Sequence, residues 1–140
     1  MIAAFNRMLD HPDLGKFILR LAFGGMMLPH GIHKIIHGID NIIAMVVAHD
    51  LPASVGYGVY VGEVAMPILL ILGILVRPAA LIFCFTMIFA WLITKPELVF
   101  TMDKVGGWGV EVMAVFFFAG LAIALLGCGR ISIMKNPNWR

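Results

Sequence analysis

The fold is decided by residues 56–94, GYGVYVGEVAMPILLILGILVRPAALIFCFTMIFAWLIT, in which two long apolar runs follow each other almost directly. The runs Gly56–Val76 and Pro78–Thr94 are separated by Arg77 alone. Each run is close to the roughly 20 residues that a helix needs to cross a hydrocarbon core of about 30 Å. Because proline suits the first turn of a helix, Pro78 indicates where the second helix starts. The stretch therefore predicts two membrane-spanning helices joined by a tight turn.

Two more runs of similar length, Phe17–Ile36 and Trp108–Gly127, lie on either side of this pair. The whole chain of 140 residues is 61% hydrophobic and only 13% charged, whereas soluble domains carry about 25% charged residues. We therefore predict an all-α membrane protein, a four-transmembrane-helix bundle in which residues 1–140 form a single membrane domain. Its basic residues lie at the ends of the apolar runs and form no patch, which argues against nucleic-acid binding.

Two shorter helices are expected outside the spans. Apolar residues recur at helical spacing before the first span, at Ile2, Phe5, Met8 and Leu9. That pattern favours a short helix at the membrane interface. Between the first two spans, Asp40 is suited to cap a short apolar helix over Ile42–Val47, which is too short to cross the membrane.

The distribution of Lys and Arg predicts the orientation. The side that holds both termini carries Arg7, Lys16, Arg20, Arg77, Arg130, Lys135 and Arg140. The opposite side carries Lys34, Lys95 and Lys104. Because positive residues accumulate on the cytoplasmic side, both termini are predicted in the cytoplasm, with loops 37–55 and 95–107 outside. Arg20, Arg77 and Arg130 are then expected at the cytoplasmic edge, in contact with lipid headgroups.

Ionisable residues within the spans are the candidates for function, because each costs at least a few kcal/mol to place there. At a rise of 1.5 Å per residue, His30 and Glu63 lie at nearly the same depth, and His33, Lys34 and Glu111 lie slightly closer to the outer surface. His30, His33 and Lys34 share a helical face because they are three and four residues apart. We predict that these five residues form a ligand-binding site in the outer half of the bundle, a cavity that either handles protons or binds the head group of a molecule such as a quinone.

A proline strengthens this hypothesis, and a structural alternative competes with it. Pro67 cannot donate a hydrogen bond to the carbonyl of Glu63, and a freed carbonyl beside a buried carboxylate favours a polar pocket. In the alternative interpretation, Lys34–Glu63 and His33–Glu111 are ion pairs that merely hold helices together. Both interpretations remain open from the sequence.

Metal and disulfide chemistry have little support. The candidate site has no Glu-x-x-His motif, so no metal ligands are assigned, and its two deepest histidines share one span, which disfavours a haem. Cys84 and Cys128 are far apart in apolar surroundings and are interpreted as small buried hydrophobic residues.

Four segments of the chain form a recognisable series. They are Arg20-Leu21-Ala22-Phe23-Gly24, His30-Gly31-Ile32-His33-Lys34, Glu63 followed by Leu72-Gly73-Ile74-Leu75-Val76-Arg77-Pro78, and Gly127-Cys128-Gly129-Arg130-Ile131-Ser132. Together they resemble the DoxX family of small bacterial and archaeal membrane proteins, and the resemblance runs over nearly the whole chain. The order and spacing of these segments carry the resemblance. The chain departs from the family pattern in Pro29 and in its His-rich first span.

The resemblance implies a four-helix bundle in the bacterial inner membrane, with Lys34, Glu63, Arg77 and Arg130 at family-typical positions. Similar proteins include subunits of thiosulfate:quinone oxidoreductase and partners of thiol-redox or oxidative-stress proteins. The leading hypothesis is therefore a redox-associated subunit that docks a quinone. The alternative is a non-catalytic anchor or assembly partner for another membrane or periplasmic protein. The sequence decides neither enzyme activity nor whether the chain forms a homo-oligomer.

Overall fold

The computed structural model describes residues 1–94, 96–136 and 139. Its helices are α1 (Ile2–Leu9), α2 (Pro12–His37), α3 (Asp40–Ala48), α4 (Ala53–Leu72), α5 (Val76–Thr94) and α6 (Glu111–Leu126). A short 3-10 turn, Pro96–Phe100, follows α5. The predicted all-helical class is confirmed, since the described residues contain no strand. Lys95 and Arg140, which entered the orientation count, lie outside the described residues.

Two helices, α4 and α5, are each long and apolar enough to cross a membrane. Helices α2 and α3 meet that requirement only together, and a bend of 96° separates them. The last helix, α6, is apolar but has only 16 residues. The described residues thus contain two candidate spans, or three if α2 and α3 are counted as one bent span.

The turn between α4 and α5 lies earlier in the chain than the sequence indicated. Helix α4 ends at Leu72 because Gly73 adopts a left-handed conformation with φ of 76°, which glycine does without steric cost. Leu75 also has a positive φ, of 48°. Helix α5 begins at Val76, so Arg77, which was expected in the connection, lies in the first turn of the helix.

The short helix α3 is present but its beginning differs from the prediction. It covers Asp40–Ala48, and Ile39 is the residue that precedes its first turn. The Asp40 side chain makes no capping hydrogen bond. Its carboxylate lies in the first turn, where a negative charge favours the positive end of the helix dipole.

Helices α2 and α4 approach each other closely at two glycines. A Cβ on Gly24 would lie 3.0 Å from the carbonyl oxygen of Pro67, and a Cβ on Gly31 would lie 2.5 Å from that of Glu63. Side chains at these positions would force the helices apart. The two glycines therefore allow the backbone of α2 to rest on α4 on the side where Glu63 lies.

Small residues also bring α5 against its neighbours. Gly62 of α4 packs on Thr86, and a Cβ on Gly120 of α6 would lie 2.7 Å from the Sγ atom of Cys84. The contacts enclose one apolar core formed by Met27, Met66, Leu70, Val76, Ala79, Ala80, Phe83, Met87, Phe116, Ile123, Ala124 and Cys128. Both cysteines are free and buried, as the sequence indicated.

One end of the bundle, here called the Arg20 end, is formed by the start of α2, the end of α4 and residues 127–136. Arg20 was expected to contact lipid headgroups, but its side chain has no exposed surface. Its guanidinium donates to the carbonyl oxygen of Leu70 at 2.8 Å and to that of Ile131. The backbone N–H of Ile133 donates to the Leu72 carbonyl oxygen at 3.0 Å. The C-terminal segment is thus bonded across this end. The opposite end, formed by α3 and residues 96–110, is called the loop end.

Candidate functional site

The centre of the site is an ion pair between α2 and α4. The Lys34 Nζ atom donates to both carboxylate oxygens of Glu63. Glu63 is the buried member, only 6% exposed, while Lys34 is partly exposed. The Tyr60 hydroxyl donates to the backbone carbonyl oxygen of Lys34 at 3.3 Å, which ties the same two helices together one turn away. A charge buried among apolar side chains is tolerable because its partner is in contact with it.

The backbone around Glu63 is wider than an ordinary helix. Residues Val61–Ala65 form a π-type turn, and the N–H of Met66 donates to the carbonyl oxygen of Val61 five residues earlier. Pro67 has no N–H to continue the regular pattern. Such single π turns occur frequently at functional sites. The turn places the Glu63 side chain inside the bundle while its carbonyl faces Gly31.

The larger cavity beside the ion pair has a volume of about 560 Å³ and lies between α3, α4 and α5. Its polar lining consists mainly of Lys34, Glu63 and Thr86. The remaining lining side chains are apolar, and they include Ile42 and Met45 from α3 and Phe85 and Phe89 from α5. The volume falls within the range of small-molecule sites, which are mostly apolar with a few polar groups that orient the ligand.

A smaller cavity of about 140 Å³ lies on the other side of Glu63, between α2, α5 and α6. His30 and Glu63 are its titratable lining residues, and the rest of its wall is formed by Met27, Met87, Ala90, Val112, Met113 and Phe116. Glu63 and Ala90 line both cavities. These two side chains therefore form the partition between the larger and the smaller cavity.

The other two residues of the predicted site lie apart from this partition. His33 is exposed and stacks on His37, with ring centroids 4.0 Å apart. Glu111 is exposed at the start of α6, where its carboxylate lies near Gly107 and the carboxylate of Asp103. The ion pairs among the described residues are Lys34–Glu63 and Arg130–Asp13, so His33 and Glu111 are not paired with each other. The structure thus brings together His30, Lys34 and Glu63.

A third cavity, of about 200 Å³, lies under residues 96–110 at the loop end. Its lining is almost entirely apolar, and the indole N–H groups of its two tryptophans are already bonded. Trp91 donates to the Pro96 carbonyl oxygen at 3.1 Å, and Trp108 donates to that of Val99 at 2.7 Å. The described residues that line this cavity therefore offer no free polar group to orient a ligand.

Several parts of the site escaped the sequence analysis. Ala90, Tyr60 and the apolar residues of α3 carry no chemical signal in the sequence, although α3 itself was predicted. The spacing of Pro67 after Glu63 did indicate an irregular backbone. Within the described residues, no group of three or more His, Cys, Asp or Glu side chains is placed to hold a metal ion.

Fold and site together define a helical membrane protein with an apolar cavity bordered by a buried lysine–glutamate pair. The chain matches the DoxX family over residues 15–96, which include most of α2, all of α3 to α5, the Lys34–Glu63 ion pair and Ala90. The protein therefore belongs to the DoxX family, as its sequence segments indicated. A search of curated proteins and a search of solved structures found no match to this chain.

Proposed function

We propose that this protein is a redox-associated membrane subunit that binds a quinone in the larger cavity. The observation that carries the proposal is the position of one ion pair, with its carboxylate buried, at the border of a mostly apolar space of about 560 Å³. A quinone combines an apolar ring with carbonyl oxygens that accept hydrogen bonds. The cavity offers the matching combination of apolar walls and a charged donor.

The ion pair has the groups that a quinone headgroup needs. A lysine ammonium has three N–H donors, and the two oxygens of Glu63 accept from Lys34. A donor of Lys34 is left for a quinone carbonyl, because this side chain also lines the cavity. The carboxylate of Glu63 can in turn accept a hydrogen bond from a quinol hydroxyl.

The cavity is accessible from the bilayer side of the bundle. Among its lining residues, Val61, Ile82 and Phe85 are exposed, and Phe85 is 64% exposed. In a membrane protein such apolar surfaces face lipid. A ligand dissolved in the bilayer can therefore enter between α4 and α5 without crossing water.

The proposal includes a topology of four spans, α2, α4, α5 and α6, with both termini in the cytoplasm of a bacterium. Family membership, the apolar helices and the excess of Lys and Arg on one side support it. The test uses single cysteines in a chain from which Cys84 and Cys128 have been replaced. A cysteine at Ala48 should react with an impermeant thiol reagent from the periplasm, and one at Lys135 should not.

Quinone binding is tested by the thermal unfolding midpoint of the purified protein with decylubiquinone or menadione, and by mass spectrometry of lipids that co-purify from native membranes. Glu63→Gln and Gly58→Leu should each weaken quinone binding by about tenfold or more. Glu63→Gln removes a hydrogen bond to a charged group, and Gly58→Leu fills part of the cavity with its new side chain. Gly58 lines the cavity, and no atom lies within 4 Å of a Cβ placed on it.

Gly25→Leu is the matched control. A Cβ placed on Gly25 would likewise meet no atom within 4 Å, but Gly25 lies on α2 and lines neither cavity at Glu63. The quinone proposal fails if no quinone co-purifies and Glu63→Gln responds to added quinone as the wild type does.

A second candidate function, anchoring of another protein, is favoured by the surface of residues 96–110. Phe100 and Val105 are 92% and 91% exposed, although hydrogen bonds hold this connection in place. Asp103 accepts hydrogen bonds from the N–H groups of Val105 and Gly107. A photocrosslinker attached at Val105 in native membranes should capture a reproducible partner protein. Recovery of this chain alone would exclude the anchoring function.

A further inference from the structure

We propose that the smaller cavity is a proton route between Glu63 and the loop-end side of the membrane, with His30 at its entrance. The route is separate from the path by which a bilayer-dissolved ligand reaches the larger cavity. This proton route rests on the proposed function, because it delivers protons to the carboxylate of the same site. Its existence can be tested without any quinone.

The geometry of the partition is the first argument. Glu63 is buried, yet its side chain borders two spaces whose linings differ. On the larger side the exposed lining residues are apolar apart from Thr94, and Val61, Ile82 and Phe85 among them face lipid. On the smaller side the polar lining residue besides Glu63 is His30, which is itself exposed. One carboxylate is therefore reached from a lipid-facing and from an imidazole-bearing side.

The second argument is the room that the smaller cavity provides. Water in liquid occupies about 30 Å³ per molecule, and a buried water requires two to four polar partners. A volume of about 140 Å³ accommodates several water molecules. His30 and the Glu63 carboxylate, which both line the cavity, supply polar partners. A short chain of water molecules between them is the simplest connection that carries a proton.

Among the described residues, the charged and titratable groups that face the Glu63 carboxylate come from α2. Lys34 bonds to the carboxylate, and His30 shares the smaller cavity with it. The linings contributed by α3 and α6 are apolar, and α5 adds the hydroxyls of Thr86 and Thr94, which already donate to the carbonyl oxygens of Ile82 at 2.9 Å and Ala90 at 2.7 Å. Imidazole is the side chain suited to exchange protons near neutral pH. His30 is therefore the group through which a proton reaches Glu63.

The test uses dicyclohexylcarbodiimide, a lipid-soluble reagent that modifies protonated carboxyl groups. The acid adds across the carbodiimide, its proton passing to one nitrogen and its oxygen to the central carbon, and the adduct rearranges to a stable N-acylurea. Labelling of Glu63 is measured by peptide mass spectrometry in right-side-out and inverted membrane vesicles. The full-length protein is used, and Glu63→Gln identifies the labelled peptide.

Labelling should rise when the pH is lowered on the side that holds residues 38–52, because the reagent modifies only the protonated carboxyl group. Lowering the pH on the other side should have little effect. His30→Phe should reduce the early response to a pH drop severalfold, because it removes the imidazole and narrows the entrance. His33→Phe is the matched control, since His33 lies one turn away and borders neither cavity at Glu63.

A second variant, Met113→Phe, narrows the smaller cavity without altering His30 and should also slow the response. It keeps the test informative if His30→Phe is poorly folded. The proposal is overturned if labelling follows the pH of the opposite side, if Glu63 is never labelled, or if both variants respond as the wild type does. If the wild-type protein binds no quinone but Glu63 labelling responds to pH as described, only the proposed function is excluded.

Discussion

Gly31 of α2 lies directly against the backbone carbonyl of Glu63 in α4, where a Cβ would come within 2.5 Å of the carbonyl oxygen. That carbonyl has no regular helical donor, because Pro67 occupies the position four residues later. The same contact sets the distance between the helices that carry Lys34 and Glu63. The position of the ion pair therefore depends on the absence of a side chain at residue 31.

Gly31→Ala should lower the free energy of unfolding by about 1–3 kcal/mol, the usual cost of forcing extra atoms into a packed contact. Reversible unfolding in mixed micelles would measure it. Gly25→Ala is the control, because its new methyl group meets no atom within 4 Å. It should not lower the stability, since alanine is more favourable than glycine in a helix by about 1 kcal/mol. Equal stability of the two variants would contradict the close approach described for Gly31.

Lys34→Met should destabilise the protein by about 2–3 kcal/mol, since it leaves the buried carboxylate of Glu63 without its charged partner. The value is lower than for a fully buried pair because the Lys34 side chain is 27% exposed. Adding Glu63→Leu to Lys34→Met should restore much of the loss. A double-mutant cycle from unfolding curves gives the coupling, and additive effects would show that the contact contributes no stability.

Arg20→Lys and Arg20→Met should both loosen the C-terminal segment. A lysine cannot reproduce the two donors that the guanidinium directs to Leu70 and Ile131. We expect each variant to lose about 2–4 kcal/mol through unsatisfied buried carbonyls. Hydrogen exchange of residues 127–136 should become at least about tenfold faster. Unchanged exchange there would mean that other contacts hold this segment.

Ala90→Leu should shrink both cavities at once, because residue 90 borders each of them. Quinone affinity should fall by about tenfold through excluded volume, and the pH response of Glu63 labelling should slow. Ala65→Leu is the control, since Ala65 is exposed on α4 and borders neither cavity. If only quinone binding changes in Ala90→Leu, the smaller cavity does not depend on this residue.

The sequence carried the helical architecture because apolar length is a direct consequence of bilayer thickness. Depth counting placed Lys34 slightly closer to the outer surface than Glu63, within reach of it, and the structure joins the two in an ion pair. Counting gives height along a helix but not rotation about its axis. Glu111 lies exposed at the first residue of α6, away from that pair, although its height was similar.

The sequence could not predict which side of α5 faces the interior, because this helix is apolar on nearly every side. A helix of this kind has no polar stripe to show which residues face the interior. Ala90 could therefore not be distinguished from its apolar neighbours. The end of α4 was missed for a different reason, because Gly73 stops the helix through its left-handed backbone while the apolar run continues to Val76.

The bond between Arg20 and Ile131 joins positions separated by 111 residues. During synthesis on the ribosome, the first long helix is made well before this partner exists. Until residues 127–136 are released, the guanidinium has only the Leu70 carbonyl oxygen of its two partners, and its other donors remain in water or among lipid headgroups. Sealing of the Arg20 end therefore waits for the synthesis of residue 131, and a nascent chain stalled before that residue should be more sensitive to protease than one that contains it.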